Sequence, residues 1–149
     1  MKNYEDSRIR FAYAEDFKVT RAKRKWGQYD LEARRGFLKG GMSVTICLVP
    51  EDALDDLKRS ITDSPSAPPG MISGLEEVQR YRSVTIGDKH GVGLCAVLFD
   101  ASGLFWGKRY DYLFYLPKGG LSVVIDARED FTIESYKELL ESIVVKTIE

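Results

Sequence analysis

Apolar and polar side chains alternate over residues 8–13, with Ile9, Phe11 and Tyr13 on one side and Arg8, Arg10 and Ala12 on the other. That period of two predicts a half-buried strand. Phe17 to Lys25 is β-like and grows basic, Trp26-Gly27-Gln28 reads as a turn, and Tyr29 to Leu38 resumes with Tyr29, Leu31 and Ala33 in alternation. The two runs predict a hairpin. After a second turn at Lys39-Gly40-Gly41, Met42 to Val49 is almost continuously apolar and predicts a strand in the middle of a sheet.

Pro50 opens a helix, since its missing N–H costs nothing at the first helical position. Glu51 and Asp52 complement the positive end, Lys58 and Arg59 the negative end, and Leu54, Leu57 and Ile61 form a narrow apolar stripe. Prolines at 65, 68 and 69 end it, and 62–70 reads as a flexible surface loop. Leu75 to Arg82 suits either helix or strand, with strand favoured from Val78 onward.

In the last third, strand-like runs follow one another across turns. Ser83–Ile86 passes through Asp88-Lys89-His90-Gly91 into Val92–Phe99. Ala101-Ser102-Gly103 leads to Leu104–Leu116, and Pro117-Lys118-Gly119-Gly120 to Leu121–Ile125. In the aromatic run, Leu104, Trp106, Tyr110, Tyr112, Phe114 and Leu116 share the core-facing parity. Phe105, Arg109, Asp111, Leu113 and Tyr115 take the other, which a C-terminal helix is expected to cover. That helix spans Thr132 to Ile143, capped by Asp130 or Thr132, with Ile133, Tyr136, Leu139, Leu140, Ile143 and Val144 on one face. The expected class is α+β: a single, meander-rich antiparallel sheet of about six or seven strands, packed by two or more helices.

Composition adds limits. The 149 residues make one domain, 1–149, large enough for a single core. With 22 basic and 23 acidic side chains the net charge is −1, which leaves no long-range field to hold a polyanion. The N-terminal Met1-Lys2-Asn3-Tyr4-Glu5-Asp6 has no apolar core, and no apolar run reaches the ~20 residues a membrane span requires. Cys47 and Cys95 lie inside apolar runs and read as reduced core thiols, so a cytoplasmic location is expected.

Candidate chemistry is sparse. His90 is the single histidine, and the cysteines lack paired ligand spacing, so no metal site and no cofactor are expected. Asp52, Asp55 and Asp56 are accounted for by the dipole of their helix and by solvation. His90 stands in a turn beside the strand that holds Cys95, but a thiol between Leu94 and Ala96 is buried and inert. Gly40-Gly41, Gly91-Val92-Gly93 and Gly119-Gly120 each separate two strands, whereas a phosphate loop leads into a helix. No catalytic residue is assigned. The most promising patch is basic: Arg21, Lys23, Arg24 and Lys25, with Trp26 and Tyr29 adjoining and Arg34-Arg35 on the return strand. It reads as a solvated hairpin that blunts a sheet edge, or as a surface for an acidic protein partner. Overall neutrality places single-stranded nucleic acid last.

Residues 7–19, Ser-Arg-Ile-Arg-Phe-Ala-Tyr-Ala-Glu-Asp-Phe-Lys-Val, resemble the opening of proteins with the PsbP-like fold, in which a short strand and an acidic-aromatic turn precede a second strand. Ala14 stands where that family usually has proline. Val123-Val124-Ile125-Asp126-Ala127, then Asp130-Phe131 and a helix ending Leu140-Glu141-Ser142-Ile143, are similar to its close. The resemblance implies an antiparallel sheet sandwiched by helices and mostly non-enzymatic work: photosystem assembly, a nuclear-import factor binding a small GTPase, bacterial effector chaperones. It carries no functional residues across.

The expected function is therefore that of a non-enzymatic protein-binding module, most specifically an immunity protein neutralising a bacterial toxin or effector in a toxin–antitoxin pair. The alternatives are an adaptor or chaperone for a secreted effector or assembly factor and, further off, a small hydrolase-like enzyme. Arg24, Trp26, Tyr29 and Arg35 are the expected contacts, the aromatics as anchors and the arginines for carboxylates. The partner is a protein, with no nucleic acid and no membrane, and the chain itself a monomer or homodimer.

Overall fold

A computed structural model describes residues 1–15, 17–21, 28–33, 42–62, 75–99, 105–127 and 133–147. In chain order the elements are β1 (Lys2–Glu5), β2 (Ile9–Tyr13), β3 (Phe17–Arg21), β4 (Gln28–Ala33), β5 (Met42–Val49), α1 (Glu51–Thr62), β6 (Leu75–Ile86), β7 (Lys89–Phe99), β8 (Phe105–Leu116), β9 (Gly119–Ala127), α2 (Ile133–Ser142) and β10 (Val144–Val145). The class is α+β and every ladder is antiparallel. The expectation of a single sheet is corrected: a seven-stranded sheet in the order β3-β4-β5-β9-β8-β7-β6 is accompanied by a three-stranded one, β1-β2-β10. The large sheet is two meanders, β3–β5 and β6–β9, seamed along β5 and β9. As expected, β5 lies inside the sheet and the chain is strand from Val78 onward; Leu75–Glu77, open between helix and strand in the sequence, belong to the same strand.

The two faces of the large sheet carry two cores. On one, Val44, Ile46 and Leu48 of β5, Leu121, Val123 and Ile125 of β9, and Tyr112 and Phe114 of β8 pack against Ile9 and Phe11 of the small sheet. Tyr136, Leu139 and Leu140 of α2 and Ile143 beyond it complete the cluster. Fully burying each such aliphatic or aromatic side chain contributes about 1.5–3 kcal/mol. On the other face, Val49, Val92 and Leu113 meet Ile61, Leu54 and Leu57 of α1. The odd-numbered face of β8 is thus covered by α1, and α2 packs on the even-numbered face. The assignment of α2 to the odd face is corrected. Val144 is likewise not part of the helix stripe; it begins β10 and is 42% exposed.

Local chemistry sets the element ends. The Pro50 carbonyl accepts the Ala53 N–H at the start of α1. Gly87 takes a φ of 62° in the two-residue turn between Ile86 and Lys89, a conformation costly for any residue with a Cβ. Strand β6 is bulged between Tyr81 and Val84. Both helices end on cations from the β6–β7 hairpin. Arg80 donates to the Ile61 and Ser60 carbonyls, and Lys89, only 8% exposed, donates to the Glu141 carbonyl at 3.3 Å. Such contacts satisfy terminal carbonyls and oppose the helix dipole. Arg80→Met is therefore expected to lower unfolding free energy in urea by about 1–2 kcal/mol, whereas Arg82→Met, at an exposed position, stays within about 0.5 kcal/mol. Among the described residues no helix is long and apolar enough to cross a membrane. Residues 63–70 of the expected surface loop, the 39–41 turn and the Asp130 or Thr132 cap lie outside the described residues.

Candidate functional site

The reactive side chains are dispersed. Successive residues of a strand face opposite ways, so His90 on β7 shares the α1 side of the sheet with Val92, while Cys95 faces the α2 side. Cys95 lies opposite Tyr110 in the β7–β8 ladder. His90 is exposed, with Nδ1 3.0 Å from Thr85 Oγ1. Burial pushes the Cys95 thiol up against the opposing pull of Lys108 and Tyr110, which suppresses the thiolate a nucleophile needs. Burial also raises Tyr110 to about 12 and raises Tyr112 and Tyr136. The three phenols stack together, Tyr110 and Tyr136 with ring centroids 5.2 Å apart. Cys47 stands on the α1 side in a 460 Å³ groove between α1 and β5, lined also by Ala53, Leu57 and Ser122. The two cysteines are not disulfide-bonded to each other and lie on opposite faces of the sheet. Among the described residues no group of three or more His, Cys, Asp or Glu side chains is placed to hold a metal ion.

On the α1 side a rung crosses the sheet from Asp30 through Thr45 and Val124 to Asp111 and Leu94. Thr45 Oγ1 donates to Asp30 Oδ1 at 3.0 Å, and on the next rung Arg109 Nε donates to Asp126 Oδ1 at 2.9 Å. The Asp111 carboxyl has no hydrogen bond among the described residues. Burial raises its carboxyl to about 6, with Arg109 pulling it down and Asp126 pushing it up.

At the opposite end of the sheet the N-terminal strands and the β3–β4 hairpin meet. Asp6, in the β1–β2 turn, accepts the Tyr29 hydroxyl at 2.7 Å, the Tyr4 hydroxyl at 3.0 Å and the N–H groups of Arg8 and Ile9. Burial alone would raise this carboxyl, but those hydrogen bonds outweigh it and hold it below the usual range. Tyr4 also stacks on Phe11, with ring centroids 5.2 Å apart, and meets Tyr29 edge-on at 5.5 Å. This corrects one expected contact: Tyr29 is 1% exposed and is a core residue, not a surface anchor. Arg24, Trp26 and Arg35 lie outside the described residues.

Beside this node β3 forms one end of the large sheet and β1 one edge of the small one. Between them opens a groove of 640 Å³ lined by Lys2, Tyr4, Tyr13, Glu15, Phe17, Lys18 and Val19. Phe17 is buried, Tyr4, Tyr13 and Val19 are half-buried, and Lys2 and Lys18 are exposed, with no ion pair among the described residues. The residues joining β3 to β4 in sequence carry Lys23, Arg24 and Lys25. Among the described residues this groove combines a terminal strand, half-buried aromatics and two lysines against one glutamate. Sequence reasoning found the basic hairpin but missed the groove, because β1 has almost no apolar signature.

No family model matches the chain. No curated protein matches it in sequence. The fold is similar to that of a protein from Bacteroides thetaiotaomicron VPI-5482 whose crystal structure is known at 1.50 Å resolution. The TM-score is 0.59 at 8% sequence identity, over 93% of this chain and 45% of that one. This chain thus spans less than half the length of that protein, and the likeness is one of fold alone.

Proposed function

We propose that this chain is a non-enzymatic protein-binding module, in its most specific form an immunity protein that binds and neutralises a bacterial toxin or effector. The observation that carries the reading is the groove at β3, where half-buried aromatics stand beside Lys2 and Lys18, neither of which has an ion pair among the described residues. Aromatic anchors inside a polar rim are what protein interfaces favour. The scatter of His90, Cys95 and Cys47 over both faces of the sheet supports a role in contact over one in catalysis. The PsbP-like resemblance of the two chain ends, a fold put mostly to non-enzymatic use, agrees with this. An effector chaperone is the alternative use of the same groove.

The test is capture of a stoichiometric partner on the immobilised chain, followed by calorimetric titration of that partner in purified form. Replacing Arg24 and Trp26 together by alanine is expected to weaken binding about a hundredfold. A loss of less than about threefold defeats the assignment. Suppression of the partner's toxic activity in the complex separates the immunity reading from the chaperone one.

A further inference from the structure

We infer that the groove at the β3 edge takes an extended segment of the partner as an added antiparallel strand, one whose residues alternate between apolar and acidic. The inference rests on the protein-binding reading above and names the chemistry of the partner.

Strand β3, Phe17–Arg21, is bonded on one side to β4 and ends the seven-stranded sheet on the other. A terminal strand presents alternate backbone N–H and C=O groups to whatever lies beyond it. The usual protections of an edge are a bulge, a covering element, a very short strand or charged side chains, lysine above all. Strand β3 carries the last of these in Lys18, which repels a basic strand and admits an acidic one. The opposite edge, β6, has the bulge, between Tyr81 and Val84. The β3–β4 ladder is regular over all five pairs from Phe17↔Ala33 to Arg21↔Tyr29. Among the described residues, the 640 Å³ groove lies along β3.

The two faces of β3 dictate the pattern of an added strand. Phe17 and Val19 face inward, toward the core shared with the small sheet, and Tyr4 and Tyr13 roof the gap above them. Side chains of an added strand that share this parity meet four partly or fully buried apolar groups and are themselves apolar. The intervening side chains emerge on the face that carries Lys18. Lys18 is exposed without an ion pair among the described residues, and Lys2 stands at the rim in the same state. Of the nearby acidic residues, Glu15 lines the groove and Glu32 pairs with Lys18 in the ladder, one strand further from the edge. The side chains of opposite parity are therefore acidic. Backbone bonds supply affinity and this alternation supplies specificity, as in other strand-addition complexes.

The probe is an alternating valine–glutamate peptide about as long as β3, compared with a valine–lysine peptide and with a peptide of the same valines and glutamates in two blocks. Expected results are binding of the alternating acidic peptide at least about tenfold tighter than the valine–lysine peptide, and new protection of alternate amides of Phe17–Arg21 in hydrogen exchange. Lys2→Glu with Lys18→Glu, both on the exposed surface, is expected to reverse the charge preference, and Lys137→Glu on the outer side of α2 to leave it unchanged. Equal binding of the blocked peptide reduces the effect to simple charge attraction and overturns the inference. Protection of the same amides by concentration-dependent self-association makes a second copy the occupant and overturns it too. If a captured partner binds wild type and the double lysine variant alike, strand addition fails while the protein-binding reading stands. Loss through Arg24 and Trp26 tests that reading separately.

Discussion

Replacing Gly91 by alanine is expected to be the most damaging small substitution in the large sheet. Gly91 pairs with Val84 on β6 and Phe114 on β8, just where β6 is bulged. A Cβ built on it falls 1.8 Å from the Leu113 carbonyl oxygen and 2.8 Å from the Phe114 Cα, both backbone atoms of a fully buried stretch. No rotamer relieves a clash with backbone, so β7 and β8 must move apart over the core. Overpacking of this kind costs about 3 kcal/mol or more, which lowers the thermal midpoint by roughly 10 °C in a domain of this size. Gly93→Ala provides the comparison. Its Cβ meets the Tyr112 ring at 2.7 Å, and a side chain gives way more readily than a strand. Equal midpoints for wild type and Gly91→Ala would show that the close approach of β7 and β8 is not as described.

The opposite sign is expected for Asp111→Asn at neutral pH. Burial in the rung between Leu94 and Val124 raises the Asp111 carboxyl from 3.8 to about 6. A carboxyl raised by folding releases its proton first in the unfolded chain. Its cost is therefore absent below about pH 4 and grows until the folded group has also ionised, above about pH 6. The gap corresponds to about 3 kcal/mol, trimmed to about 2 by the remaining contact with solvent. Asp111→Asn removes it, so the variant should be more stable than wild type by about 1–2 kcal/mol at pH 7.5, with the difference vanishing towards pH 4. Asp6 titrates with the reverse sign. Its lowered value means stability present at neutral pH and lost as pH falls through the folded value, and it cancels when the two proteins are compared at each pH. Urea unfolding of both from pH 4 to pH 8 is the measurement. A constant difference across that range would show that Asp111 is not the titrating group.

Much of this architecture is written in periodicity. The continuous apolar run 42–49, the amphipathic stripe of α1 and the parity of Tyr110, Tyr112 and Phe114 each lead directly to the element or face observed. Ladders held by backbone rather than by buried side chains are not written that way. Strand β1 is Lys-Asn-Tyr-Glu, with only Tyr4 half-buried, and β10 is two valines directly after a helix. Neither has an alternation long enough to recognise, and with them the second sheet escaped notice. Which helix covers which face also lies outside periodicity, because an amphipathic stripe specifies that it must be buried but not against what. Tyr29 is the instructive error at the site. It stands between the basic runs 21–25 and 34–35, which suggested exposure, yet its alternation with Leu31 already pointed inward. The acceptor that buries its hydroxyl, Asp6, is remote in sequence.

The seam between β5 and β9 sets how the chain must assemble. The other ladders of the large sheet join strands that are neighbours in sequence, whereas Met42–Val49 pairs with Gly120–Ala127, across roughly half the length of the chain. Each meander can gather by short-range steps, but zipping them together closes a long loop whose entropy must be lost before any seam bond forms. Until that step both Val44–Leu48 and Leu121–Ile125 lack their neighbour. The slowest event of folding and the most aggregation-prone intermediate are therefore the same species.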